Sequence, residues 1–136
     1  MEIVKVKVAK TEQGYCATVD ILEAMVVAVE GNFAELQKEL KESIEFFIKC
    51  AKKDGEKYPD VFDGEYEFHF AFDMESLLYC YEGIFSRASL SRITGVNEKQ
   101  LSHYANGRSK PREKQFNKIV NGLHTLGQEL LCVASV

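Results

Sequence analysis

The hydrophobic pattern of this chain changes near residue 73 from mainly strand-like to wholly helical, and that change constrains the fold more than any other feature. Before it, several short runs alternate apolar and polar residues, and a single long segment has helical spacing. After it, apolar residues recur every three or four positions. A period of two is typical of a half-buried strand, and a period near 3.6 of an amphipathic helix. We therefore predict an α+β fold with two domains, residues 1–73 and 74–136.

Four runs in the first domain have the alternation expected of strands: 3–8, 15–19, 25–29 and 66–72. The first two are separated by a short turn and are expected to form a hairpin. The last run places Tyr66, Phe68, Phe70 and Phe72 on one side. An aromatic stripe of this kind is either a stacking platform for RNA or part of a core. Because the surrounding sequence is acidic, we interpret it as core beneath the long helix.

That helix is predicted to run from about Phe33 to Lys53. Asn32 followed by Glu35 is similar to a capping box, although Asn stands in place of Ser or Thr. Apolar residues then repeat at helical spacing, and Glu and Lys fill the opposite side. The helix would be about 30 Å long, which is enough to cover a small sheet. The predicted order of the first domain is therefore β-β-β-α-β.

The second domain contains a pattern typical of two helices joined by a tight turn. A short helix ends near Gly95, and a second one begins after Asn97, a good N-cap residue. Leu101, Tyr104 and Ala105 share one face of this second helix, which is expected to end before Gly107. Four or five helices are predicted in this domain, the first of them containing Leu77, Leu78, Tyr81 and Phe85. The pattern fits an ordinary helical hairpin or a helix-turn-helix that binds DNA.

The basic residues near this unit favour DNA. Residues 1–83 hold 9 Lys and Arg against 18 Asp and Glu, a net charge of −9, whereas residues 84–136 hold 8 against 3, a net charge of +5. Such asymmetry indicates two modules with different partners. We predict that base edges are contacted by Glu98, Lys99, Ser102, His103 and Asn106. Phosphates are expected to be held by Arg87, Asn97, Arg108 and Lys110.

Several other classes are not favoured by the sequence. No run of apolar residues approaches the roughly 20 needed to span a bilayer, and the first residues lack the layout of a signal peptide. The four cysteines are far apart and are expected to be reduced, as in a cytoplasmic protein. The three histidines lack metal-ligand spacing, and no phosphate-binding loop or nucleophile motif occurs. We therefore expect no metal, no cofactor and no enzymatic activity.

The chain resembles the HicB antitoxins over nearly its whole length. The opening Lys/Val strand, the Gly-Tyr-x-Ala hairpin and the Gly-Asn-Phe-Ala-Glu that begins the long helix resemble the HicB domain. The segment from Ile93 to Lys110-Pro111 resembles the helix-turn-helix that many such antitoxins carry. Two departures occur: Phe33 stands where the family often has Thr, and Arg87 where it often has Gln.

The resemblance implies a partial ribonuclease H-like first domain that masks a small, basic, RNA-cleaving toxin of the HicA kind. It also implies a second domain that represses the shared operon by binding its operator. A homodimer or a higher even-numbered oligomer is expected, and Leu130, Leu131 and Val133 are candidates for the contact. Two alternatives remain: a one-component regulator whose first domain senses a ligand, and an active ribonuclease H relative that needs carboxylates converging on Mg²⁺.

Overall fold

The computed structural model describes residues 1–136 and divides the chain into two compact units, Met1–Asp73 and Met74–Val136. The first unit holds 9 Lys and Arg against 16 Asp and Glu, net −7, and the second holds 8 against 5, net +3. The asymmetry is smaller than a split after Gly83 gives, because Glu75 and Glu82 belong to the second unit. In both divisions the first part of the chain is acidic and the second part is basic. The fold as a whole is mixed α+β, with one four-stranded sheet and five α-helices.

The sheet of the first unit has the strand order β3-β2-β1-β4. Strands β1 (Glu2–Thr11), β2 (Gly14–Ile21) and β3 (Ala24–Glu30) form an antiparallel meander, whereas β4 (Tyr66–Phe72) pairs parallel with β1. The alternation seen in the sequence sorts the side chains into two faces. One face of the three antiparallel strands is buried, and its members are Val4, Val6, Val8, Tyr15, Ala17, Val19, Ile21, Val26 and Ala28.

Helix α1 (Phe33–Asp54) covers that face and packs chiefly on β3. The side-chain oxygen of Asn32 accepts a hydrogen bond from the Glu35 amide at 2.8 Å, so the expected cap forms. At the other end, Gly55 adopts a left-handed conformation and closes the helix. The buried stripe of α1 consists of Leu36, Leu40, Ile44, Ile48 and Ala51.

The aromatic stripe of β4 differs from the prediction, because none of its residues is fully buried. The register of β4 with β1 places it on the helix-covered face, beside Val4, Val6 and Val8. However, α1 packs chiefly on β3, which is the opposite edge of the sheet from β4, so the rings of β4 pack mainly on one another and on Phe33. The Phe33 ring lies 5.0 Å from that of Phe70 and 5.4 Å from that of Phe72, both edge-on. The stripe is a partly covered aromatic cluster and not a closed core.

The second unit contains four helices: α2 (Met74–Cys80), α3 (Arg87–Thr94), α4 (Glu98–Ala105) and α5 (Glu113–Leu131). Their common core is formed by Met74, Leu78, Leu90, Val96, Leu101, Tyr104 and Ile119. The prediction that Tyr81 and Phe85 lie in the first helix of this unit was wrong. The helix ends at Cys80, and a turn follows in which the amide of Phe85 donates to the carbonyl of Tyr81 at 3.0 Å. No helix in the chain has the length and hydrophobicity needed to cross a membrane.

Candidate nucleic-acid interface

The connection between α3 and α4 is a three-residue turn fixed by hydrogen bonds. Gly95 has φ +75° and ends α3 by donating its amide to the carbonyl of Ser91 at 2.8 Å. This left-handed conformation is favourable for glycine because it has no Cβ. The buried hydroxyl of Thr94 donates to the Leu90 carbonyl at 2.7 Å and accepts from the Val96 amide at 3.2 Å. Thr94 therefore fixes the angle at which the chain enters α4.

Helix α4 begins and ends within a few residues of its predicted limits. The Asn97 side-chain oxygen accepts from the Lys99 amide at 2.8 Å, which satisfies one of the free donors of the first turn. The helix ends at Ala105, Asn106 is the C-cap residue, and Gly107 has φ +73°. The amide of Arg108 then donates to the carbonyl of His103 at 3.0 Å, so the loop that follows is held against the last turn.

The inner face of α4 anchors it to the rest of the unit. Leu101 is fully buried, and Tyr104 is almost so, among Leu90, Val96 and Ile119. The Tyr104 hydroxyl accepts a hydrogen bond from the Gln100 side-chain amide at 2.9 Å. Because the inner face is fixed in this way, the outer face has a defined orientation.

That outer face carries all five residues predicted to contact bases. Glu98, Ser102 and Asn106 follow one another at intervals of four residues and so lie along one line of the helix. Lys99 and His103 form a second line beside it. Glu98, Lys99 and Asn106 are exposed, whereas Ser102 and His103 are partly buried. All five side chains can donate or accept hydrogen bonds, and together they form one continuous polar face.

Of the four predicted phosphate contacts, Asn97, Arg108 and Lys110 adjoin the two ends of α4, whereas Arg87 lies on α3. Arg108 and Lys110 are exposed in the loop after α4. Arg87 is the first residue of α3 and is partly covered, with its guanidinium 3.9 Å from the Glu82 carboxylate. At this distance the ion pair is weak, and the Arg87 guanidinium keeps most of its hydrogen-bonding capacity for another anion. Asn97 uses its oxygen for the helix cap, which leaves its amide nitrogen as a donor.

Lys118 and Gly122 of α5 were not among the predicted site residues. The Lys118 ammonium donates to the carbonyl of Gly95 at 3.3 Å, which places a further positive charge at the turn. Gly122 lies against the end of α3, where a Cβ atom would be 2.9 Å from the Ile93 carbonyl oxygen. Helical spacing in the sequence placed both residues on α5, but nothing local indicated which helix they face.

The second half of α5 presents an apolar surface to solvent. Phe116, Ile119, Leu123, Leu126 and Leu130 are separated alternately by three and four residues. The first three pack on the core of the unit, whereas Leu130, Leu131 and Val133 are exposed.

No protein-family model matches this chain, and no curated protein or solved structure matches it either. No cluster of three or more His, Cys, Asp or Glu side chains is arranged to hold a metal ion.

Proposed function

We propose that the second unit binds double-stranded DNA as a helix-turn-helix, with α4 in the major groove. The observation that carries this proposal is the pairing of a five-residue polar face on the outer side of α4 with cations close to it in the chain. A major groove about 12 Å wide admits one α-helix and displays a distinct pattern of donors and acceptors for each base pair. Lys99 is suited to guanine O6 or N7, and Glu98 to the amino group of cytosine.

The flanking cations would supply affinity and orientation. Phosphate contacts fix the register of a protein on the duplex but carry no sequence information. Arg108, Lys110 and Arg87 are suited to this role, and the Lys118 ammonium lies close enough to the turn to add to it. We infer that α4 provides sequence discrimination and that these residues provide salt-dependent affinity.

We further propose that the chain is an antitoxin of the HicB kind, which represses its own operon and neutralises a small mRNA-cleaving toxin. The order β-β-β-α-β supports assigning the first unit to the partial ribonuclease H-like domain of that family. Its net charge of −7 supports a basic partner, because complementary charge accelerates encounter between proteins. The runner-up proposal is a one-component regulator whose first unit senses a small ligand.

The exposed end of α5 supports dimerisation of the second unit. A single short helix contacts too few base pairs for useful specificity, and helix-turn-helix proteins bind paired half-sites about one helical turn apart. An alternating three-four spacing is the pattern by which two helices pack along a shared seam. Leu126 and Leu130 continue that pattern beyond the core of the unit, and Val133 lies just past the end of the helix.

The test of DNA binding is a fluorescence titration of the full chain on the duplex that lies upstream of its own gene. We expect tight, salt-dependent binding that is much weaker on a scrambled duplex of the same length. A Lys38→Ala variant, which removes an exposed lysine of α1, should bind as the unmodified chain does. Equal affinity for both duplexes would contradict a helix that contacts bases.

The antitoxin proposal predicts a short basic protein encoded beside this gene, and its test is co-expression of the two proteins. We expect that protein alone to arrest growth and the present chain to restore it. If growth arrest persists although both proteins are produced, the one-component regulator becomes the better proposal.

A further inference from the structure

Strand β3 is an edge strand without the features that normally protect an edge. Exposed edges present unpaired backbone groups, and proteins usually protect them with lysine, proline or a bulge. The sequence of β3, Ala-Met-Val-Val-Ala-Val-Glu, contains no lysine, arginine or proline. All seven of its residues pair in unbroken register with β2, so β3 has no bulge. Its second side is open.

The sheet face opposite α1 is here called the open face, and β3 is the only strand whose side chains on that face are all apolar. Met25, Val27 and Val29 are exposed there by 58%, 47% and 55%. On the other edge strand, β4, the same face carries Glu67 and His69, whose side chains lie 3.0 Å apart. One edge of the sheet is therefore polar and the other apolar.

We propose that this edge pairs with β3 of a second copy of the chain, antiparallel and about a two-fold axis at Val27. The sheet would then continue through both copies, with the two α1 helices on the same face. On the open face, Val27 would oppose the partner's Val27, and Met25 would oppose the partner's Val29. Apolar side chains directly opposite one another are the pairs that stabilise a sheet.

The charges at the ends of β3 are compatible with this register. Glu30 would lie opposite the partner's Ala24, and Glu23 opposite the partner's Gly31, so no two carboxylates oppose each other. A two-fold axis makes the interface self-complementary, as in most homodimers. A second copy therefore fits the edge without any rearrangement of charge.

Salt distinguishes a second copy from a basic partner at the same edge. Two units of net charge −7 repel each other at long range, and salt screens that repulsion. The dissociation constant of a dimer formed through β3 should therefore stay the same or fall as the salt concentration rises. A basic partner bound to an acidic surface would dissociate instead. The proposal does not rest on DNA binding or on the antitoxin role.

The experiment is sedimentation equilibrium of the full chain in a Leu130→Lys, Leu131→Lys background, which removes the contact proposed for α5. We expect this double variant to remain dimeric at micromolar concentration. Adding Val27→Lys should raise the dimer dissociation constant at least about tenfold, because like charges directly opposite each other destabilise a sheet. Ile3→Lys is the matched control, since Ile3 is 57% exposed on the same open face of β1, and it should remain dimeric.

A charge-pair mixture keeps the test decisive if Val27→Lys is poorly folded. Val27→Glu and Val27→Lys chains should each be monomeric alone and should form a heterodimer when mixed. A monomeric Leu130→Lys, Leu131→Lys chain, or a dimer that Val27→Lys leaves intact, would overturn the proposal. So would a mixture of the two charged variants that stays monomeric.

Discussion

Thr94 determines the geometry of the α3–α4 turn through two hydrogen bonds of one hydroxyl group. It is one of only two buried polar residues in the chain, and its hydroxyl both donates to Leu90 and accepts from Val96. A buried amide without a partner costs more free energy than a typical hydrogen bond contributes. The turn therefore depends on the hydroxyl more than on the size of the side chain.

Replacing Thr94 by valine keeps the shape but leaves the buried Val96 amide without an acceptor. We expect Thr94→Val to lower the free energy of unfolding of the second unit by about 1–3 kcal/mol. Thr94→Ser retains the hydroxyl and should lower the free energy of unfolding by a smaller amount. Urea denaturation of the full chain, followed by circular dichroism at 222 nm, measures both. If serine proves as damaging as valine, the methyl group is the important part of Thr94.

Asn97 combines the helix cap with a proposed phosphate contact, and substitution separates these two roles. Asn97→Asp retains a capping oxygen and places a negative charge at the helix N-terminus, so stability should be maintained. The same charge should repel phosphates and weaken binding to every duplex. Asn97→Ala should instead lose about 1 kcal/mol of stability. Normal DNA affinity in Asn97→Asp would show that Asn97 serves only as a cap.

At the scale of secondary structure, two glycines of α5 have opposite environments. A Cβ at Gly122 would lie 2.9 Å from the Ile93 carbonyl oxygen and 3.0 Å from the Thr94 Cα, whereas a Cβ at Gly127 would meet nothing within 4 Å. Gly122 therefore permits the close approach of α5 to α3. Gly127 has no such role.

We expect Gly122→Ala to destabilise the second unit by about 1–3 kcal/mol, because backbone atoms would have to move apart. Gly127→Ala should stabilise it by about 0.5–1 kcal/mol, the ordinary gain of alanine over glycine inside a helix. Thermal unfolding of the two variants side by side measures the contrast. A stabilising Gly122→Ala would mean that α5 and α3 are less closely packed than in the structure.

Local signals in the sequence predicted most of the elements and the outer face of α4. These signals act within one or two helical turns or along one strand. Examples are the Asn32 and Asn97 caps, the alternation of Val4, Val6 and Val8, and the spacing of Leu101 and Tyr104. The parallel pairing of β4 with β1 was not predicted, because no local pattern specifies which strand a segment will join. The incomplete cover over Phe70 follows from where α1 lies, which is also a non-local property.

The same distinction applies to the candidate site. The five polar residues of α4 follow from helical spacing, so the sequence was sufficient to place them on one face. The positions of Lys118 and Gly122 against the turn depend on the packing of α5, and no local feature indicated them. The end of α2 at Cys80 was not predicted either, because Tyr81 and Phe85 continue the apolar spacing of the helix although the backbone turns there.

At the scale of the whole molecule, the two units have opposite charge and are proposed to have different partners. The full chain with Lys99→Ala and Arg108→Ala should therefore lose binding to the proposed operator and still restore growth when co-expressed with the proposed toxin. Both residues are exposed, so the folded state should be unaffected. Growth assays and DNA titrations of this one variant measure the two activities separately. Loss of both activities together would contradict a division of function between the units.

The most direct test of the central claim, that α4 contacts bases while its flanks hold phosphates, compares Lys99→Ala with Arg108→Ala. Each is titrated on operator and scrambled duplexes at several salt concentrations. Lys99→Ala should cost about 1–3 kcal/mol on the operator and much less on the scrambled duplex. Arg108→Ala should weaken both duplexes equally and reduce the salt slope by about one unit. If Lys99→Ala weakens both duplexes alike, Lys99 does not contact a base, and the placement of α4 in the major groove is wrong.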